Sequence, residues 1–330
     1  MLNDLVRKIL DGLPITGEEA LSLTLLEGSE IYDLLAVAGR VTRYFSGNRV
    51  ELCSIVNVRS GLCSEDCVFC AQSAKYKTGT EAYPVLRPEK VLRGVMEIQK
   101  SGVNRFSIVT SGRGISGRDL GTVLEIIRLL RRETGLQLCA SLGIITYDQA
   151  VMLKEAGLSH YHHNLETAAS YFDRVCTTHT YRDRAETITA AGKAGLQVCA
   201  GGILGLGESS GQQVELAMEL RRLKIDSVPL NFLNPIPGTP LQDQAGLPPL
   251  HLLRTIAIFR LLLPRAVLRL CGGRKEGLRR VQPVAFLAGA NGIMVGDYLT
   301  TGGESLQDDL QMLRDLGLDN ALKMEGSALT

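Results

Sequence analysis

The sequence predicts an α/β chain, a TIM-type (β/α)₈ barrel behind an N-terminal helical extension. Three observations support this. Eight short apolar or β-branched runs recur along the chain, and amphipathic helical stretches separate them. Several of those helical stretches close on glycine, the residue that best ends a helix. No linker, low-complexity tract or charge block divides the 330 residues. A doubly wound open sheet is the alternative, and eight strands favour the barrel.

The elements follow in order. Residues 1–45 read as helices: "DLVRKILDGL" is amphipathic, and "TGEEALSLTLLEG" offers Thr16 as N-cap with acids in the first turn. The barrel is expected over residues 46–300. Its strands are "VELCSIVNV", "RFSIVTSG", "LQLCASLG", "HYHHNLET", "LQVCAGGILGLG", "SVPLNFLN", "VLRLCGG" and "GIMVG". Helices such as "PEKVLRGVMEIQKSG", "LGTVLEIIRLLRRETG" and "PPLHLLRTIAIFRLLLP" fall between them. Residues 301–330 are expected to pack on the barrel, giving a single domain.

Composition narrows the function. With 36 basic and 35 acidic residues the net charge is +1, which gives no electrostatic case for nucleic acid or an anionic membrane. The first twenty residues lack the apolar core of a signal peptide, and no segment reaches the length of a membrane span. A soluble, cytoplasmic protein is expected. Eight cysteines without an export signal favour thiolate or metal chemistry over disulfides.

Three of those cysteines, Cys63, Cys67 and Cys70, share the loop "GLCSEDCVFCAQS" at spacing C-x₃-C-x₂-C. The loop follows the first strand, at the end of a barrel where active sites are built. Three thiolates on a four-iron cluster leave one iron open for a substrate or cofactor, as a catalytic zinc keeps one open position. A zinc knuckle with a remote fourth ligand is the plainer reading, but the spacing is unusual for zinc.

This loop, with Phe69 before its last cysteine, resembles the signature of radical S-adenosylmethionine enzymes. In that superfamily the open iron is chelated by S-adenosylmethionine, whose reductive cleavage yields a 5′-deoxyadenosyl radical. Further motifs sharpen the resemblance: "HHNLET", "TTHTYRDRAETI", "VCAGGILGLGE", "SVPLNFLNPIPGTPL", "RLCGGR" and "AGANGIMVGDYLTT" occur in the order seen in biotin synthases, over roughly residues 40 to 320. The resemblance implies sulfurtransferase activity, the insertion of sulfur into dethiobiotin to form biotin. It also implies a four-iron cluster and S-adenosylmethionine as cofactors, an electron donor such as flavodoxin or ferredoxin, and a homodimer. Carried over by position, Phe69, Ser111, Gly112, Asn164, Glu166, Arg184, Ile203 and Leu204 match residues that bind S-adenosylmethionine, and Asn164 and Asn231 match substrate contacts. Arg184 corresponds to the arginine that meets the methionyl carboxylate.

The chain departs from the family at a second cluster. Biotin synthases hold an auxiliary two-iron cluster on three cysteines and an arginine, thought to donate the sulfur. Cys139, Cys199 and Arg269 match three of those ligands, but the fourth position is Ser107. Cys53 and Cys271 instead lie on the first and seventh strands, so Cys53, Cys139, Cys199 and Cys271 place one cysteine on every odd strand. Barrel interiors fill in layers of four side chains from alternate strands. The expectation is therefore a single four-thiolate layer holding a four-iron auxiliary cluster, with Arg269 beside it. The plain reading of Cys53 and Cys271 is as small core hydrophobes. Cys176 is expected to be an ordinary thiol. Two other functions compete: a related radical enzyme without sulfur transfer, and an iron–sulfur electron carrier or sensor.

Overall fold

The computed structural model describes residues 1–100 and 102–320. The last ten residues of the expected C-terminal segment lie outside the described residues. Three helices come first: α1 (Leu2–Leu10), α2 (Gly17–Leu23) and α3 (Ser29–Ser46). Thr16 caps α2 as expected: its hydroxyl accepts from the Glu19 amide at 3.1 Å, and the Glu19 carboxylate accepts from the Thr16 amide at 2.6 Å.

The barrel then runs β1 (Arg49–Arg59), α4 (Pro88–Lys100), β2 (Arg105–Thr110), α5 (Gly117–Glu133), β3 (Gln137–Ser141), α6 (Tyr147–Glu155), β4 (His160–His162) and α7 (Tyr181–Lys193). It continues through β5 (Gln197–Cys199), β6 (Gly202–Leu204), α8 (Ser210–Arg222), β7 (Ser227–Phe232), α9 (Pro249–Leu262), β8 (Val267–Leu270), α10 (Arg274–Leu278), α11 (Gln282–Leu287) and β9 (Gly292–Met294). All pairings are parallel, and β9 pairs back to β1 through Glu51 and Gly292, closing the ring. Strands β5 and β6 are one interrupted stave, each pairing with β7. The interruption needs glycine. A Cβ on Gly201 would lie 1.9 Å from the Pro229 carbonyl oxygen, and one on Gly202 would lie 2.5 Å from that of Glu166. Helix α12 (Leu306–Asp315) follows, and β10 (Asp319–Asn320) adds to the start of β1.

The period of two along each strand sorts the side chains. Phe106, Ile108, Leu138, Ala140 and Tyr161 point outward and are buried against α4, α5 and α6. On the other side Val228, Leu230, Leu268, Leu270 and Ile293 join α8, α9 and the N-terminal helices in a second apolar cluster. Each buried Val, Leu, Ile or Phe among them contributes about 1.5–3 kcal/mol. The core of the protein is thus the shell between sheet and helices. The alternate residues, facing the lumen, are mostly cysteine or polar.

A buried ion pair ties the last helix to the barrel. Arg274 donates to both Asp309 carboxylate oxygens, at 2.7 and 2.6 Å, and to the Tyr298 hydroxyl at 3.0 Å. Burial raises the Asp309 carboxyl, although Arg274 pulls the other way.

Candidate active site

One large cavity opens at the C-terminal end of the strands and runs down into the lumen. The structure brings to it Cys63, Cys67, Cys70, Phe69, Ser111, Gly112, Asn164, Glu166, Arg184, Ile203 and Asn231, together with Cys53, Cys139, Cys199, Cys271 and Arg269. Leu204 is the exception. Its neighbour Ile203 lines the cavity, so strand alternation turns Leu204 outward, where it is buried in the apolar core.

The cysteine loop leaves β1 through Gly61, whose φ of 70° suits glycine, and Leu62, which is at φ 51° and 80% exposed. It folds back on itself by Cys63 amide to Gln72 carbonyl, 2.9 Å, and Ala74 amide to Cys63 carbonyl, 2.8 Å. Burial and the neighbouring Cys63 push the Cys70 thiol up to about 11. The three sulfurs of this folded loop fit a metal cluster, which binds cysteine as thiolate.

Above the loop lies a polar wall. Arg184, in the first turn of α7, donates from Nη1 to the Asn164 carbonyl (2.9 Å) and to Glu166 (3.2 Å), and from Nε to His179 Nε2 (3.0 Å). Its Nη2 has no hydrogen-bond partner among the described residues. Glu166 holds φ at 69°, a left-handed conformation that costs a non-glycine residue. Asn164 donates to Glu166 at 3.2 Å and accepts from the Gly201 amide at 3.1 Å. Asn231 donates to the Gly202 carbonyl and accepts from the Gly272 amide, at 3.2 and 3.1 Å. Ser111 donates to the Gly61 carbonyl at 2.7 Å, which fixes the second stave's loop against the cysteine loop.

Strand register resolves the lumen into layers. Moving two staves along the pairing and then two residues up returns a side chain to the same height, because the register of an eight-stranded barrel steps one residue per stave. From Cys53 the pairing runs through Arg105 to Gln137, and two residues on is Cys139. From Cys139 it runs through His160 to Gln197, leading to Cys199. From Cys199 it runs through Ser227 to Val267, leading to Arg269. From Arg269 it runs through Gly292 to Glu51, leading back to Cys53. The layer is therefore Cys53, Cys139, Cys199 and Arg269. This corrects the expected single four-thiolate layer: Cys271, two residues beyond Arg269, lies one layer higher, past the end of β8.

The lumen at and below this layer is cationic. Arg269 donates to Glu51 at 2.7 Å and to the Ser227 hydroxyl at 2.7 Å, and Arg105 pairs with Glu51 at 3.2 Å. Both arginines keep a buried Nε with no partner among the described residues. Burial pushes Cys139 up to about 12 and raises Cys53 and Cys271. Cys199 is also buried, but the His162 hydrogen bond with Arg269 and Arg105 draws it down to about 6. Ser107 hydrogen-bonds to Cys139. Buried thiols over orphaned guanidinium donors fit an anionic metal cluster.

Three residues escaped the sequence reading. Cys176 is not the ordinary thiol expected: it is buried, and its sulfur, that of Cys67 and a ring nitrogen of His179 all lie within 4.8 Å of one another. The hydrogen bond with Cys67 lowers Cys176 to about 4 and raises Cys67. His179 and Glu65 complete the cluster, 2.5 Å apart. Glu65 sits between two loop cysteines and His179 inside "TTHTYRDR", so their motifs carried the signal.

Comparisons with known proteins give the family. Residues 57–220 match the radical SAM superfamily, and residues 229–319 match the biotin and thiamin synthesis associated domain. The biotin synthase of Pelotomaculum thermopropionicum is 56% identical over 318 residues, covering 96% of this chain and 99% of that one. That of Desulforudis audaxviator is 51% identical over 319 residues, covering 96% and 97%. The chain belongs to the biotin synthase family. Its cofactors are accordingly a four-iron cluster and S-adenosylmethionine. Solved structures share the barrel at lower identity. A methylornithine synthase superposes with TM-score 0.83 at 19% identity, covering 96% of this chain and 97% of its own. The FeFe-hydrogenase maturase of Carboxydothermus hydrogenoformans superposes with TM-score 0.82 at 17% identity, covering 96% and 78%. Among the described residues no helix is long and apolar enough to cross a membrane.

Proposed function

We propose that this chain inserts sulfur into dethiobiotin to form biotin, with Cys63, Cys67 and Cys70 holding the four-iron cluster. When bound, that cluster supplies the electron that cleaves S-adenosylmethionine to a 5′-deoxyadenosyl radical. The chain's residues bind and orient. Arg184 offers Nη2 to the methionyl carboxylate, a charge-assisted contact. Ser111 and Gly112 border the methionyl amine, Asn164 and Glu166 take the ribose, and Phe69 and Ile203 line the nucleoside. Asn164 and Asn231 present amides to the ureido ring of dethiobiotin, which both donates and accepts. A flavodoxin- or ferredoxin-type carrier supplies the electron, and the working form is a homodimer.

The sulfur donor is an auxiliary four-iron cluster on Cys53, Cys139, Cys199 and Cys271. The observation that carries this is the staggered layer. Three thiols at one height and a fourth one layer above occupy three dimensions, as the corners of a cubane do. A flat two-iron unit would instead take its ligands pairwise. Ser107 and Arg269 serve as neighbours, one donating a hydrogen bond to Cys139 and the other offsetting negative charge. The test is anaerobic turnover with dethiobiotin, S-adenosylmethionine and a reductant. Both 5′-deoxyadenosine and biotin are expected. 5′-Deoxyadenosine without biotin would leave a radical enzyme that does not transfer sulfur.

A further inference from the structure

We infer that His179 is a positioning residue that ties the cysteine loop to Arg184, so that a formed loop and a correctly aimed arginine go together. The inference rests on the proposed role of Arg184 at the methionyl carboxylate.

The hydrogen bonds determine the tautomer. Arg184 Nε carries a hydrogen and can only donate, so His179 Nε2, 3.0 Å away, must accept. The ring proton is then on Nδ1, which faces Glu65 at 2.5 Å and Cys176 at 3.2 Å. Glu65 lies between Cys63 and Cys67. A continuous path therefore runs from the cysteine loop, through one carboxylate and one imidazole, to the guanidinium. All three side chains are buried, with Glu65, His179 and Arg184 each 7% exposed.

The two segments are stitched together along their length. Thr178 donates to Glu65 at 2.8 Å, the Thr177 amide donates to Asp66 at 2.9 Å, and the Val68 amide donates to the Val175 carbonyl at 3.0 Å. The segment then enters α7 through its Thr180 cap, one turn before Arg184. His179 alone among these residues contacts both Glu65 and the guanidinium. With Nε held by His179 and Nη1 by Asn164 and Glu166, the guanidinium plane is fixed and Nη2 is left for a ligand in the cavity that Arg184 lines. Holding a charged fork in place before binding lowers the entropy cost of the contact. The same ring contacts Phe172 edge-on at 5.7 Å, which limits its rotation.

The experiment compares His179→Leu with His179→Gln in the cluster-loaded chain. A glutamine side chain can accept from Arg184 through Oε1 and donate to Glu65 through Nε2; leucine can do neither. The leucine variant is expected to raise the KM for S-adenosylmethionine, read by 5′-deoxyadenosine formation, by about tenfold, the worth of one charge-assisted hydrogen bond. Its kcat should change less than about threefold and its loop iron should be retained. The glutamine variant should return most of the affinity. An unchanged KM in His179→Leu overturns the inference. Equal damage in both variants overturns the hydrogen-bonded route. Loss of loop iron in His179→Leu shows a residue that holds the loop rather than the arginine, and overturns it as well. Direct S-adenosylmethionine binding, followed by calorimetry, gives the same comparison without turnover. A chain that binds S-adenosylmethionine yet forms no 5′-deoxyadenosine would overturn the proposed function and leave that binding comparison intact.

Discussion

Replacing Cys271 with alanine tests the auxiliary cluster at the position where the structure changed the expectation. Cys271 is 1% exposed and lies one layer above Cys53, Cys139 and Cys199. Removing its sulfur leaves three thiols at one height and no thiolate above them, which cannot cap a cubane. A chain with two four-iron clusters should carry about eight irons; the variant should fall to about four, those of the loop. The fold should survive, because the cysteine faces the lumen and the packed apolar shell is untouched. Formation of 5′-deoxyadenosine should continue, and biotin should not form. Anaerobic iron and sulfide counts with Mössbauer spectroscopy read the result directly. Ser107→Ala is the control and should keep its full iron, since the serine only donates a hydrogen bond to Cys139. Iron undiminished in Cys271→Ala, or a wild-type spectrum with a two-iron auxiliary unit, would refute the staggered four-thiolate site.

Cys67→Ala should abolish S-adenosylmethionine cleavage with the circular dichroism unchanged; undiminished 5′-deoxyadenosine would remove the radical assignment. Arg184→Ala should weaken S-adenosylmethionine binding by about 1.5–3 kcal/mol, roughly ten- to a hundredfold, and dethiobiotin binding far less. Calorimetry with each ligand checks this, and equal losses for the two would argue against a specific carboxylate contact. Asp309→Ala leaves Arg274 as a buried, unpaired cation and should cost about 3–5 kcal/mol of stability, measured by denaturant unfolding. A loss below about 1 kcal/mol would mean that the pair is solvated rather than buried.

The staves and the cysteine loop were legible because they are local. Spacing inside one loop and a period of two along one strand need no knowledge of what lies opposite. Leu204 was carried over beside Ile203 by family position alone, and that carry-over failed on a local rule: if Ile203 faces in, Leu204 faces out. The height of Cys271 was not legible. It depends on register summed around the whole ring, and each step is set by pairing with a stave remote in sequence. Counting one cysteine per odd strand identified the staves but ignored how far along each one the cysteine sits. The grouping of Glu65, Cys176 and His179 was hidden differently. Glu65 and His179 are separated by more than a hundred residues and meet only because the loop after β1 folds against the segment entering α7.

The division between a greasy outer shell and a polar lumen has an evolutionary consequence. Folding free energy here comes mainly from residues that never see the ligands, while the inward positions contribute chemistry and little packing. A mutation that swaps one neutral lumen side chain for another is therefore screened more by function than by stability. An inward serine at Ser107 beside inward cysteines at Cys53 and Cys271 is a combination such a wall permits. A chain of 19% identity keeps nearly the same barrel.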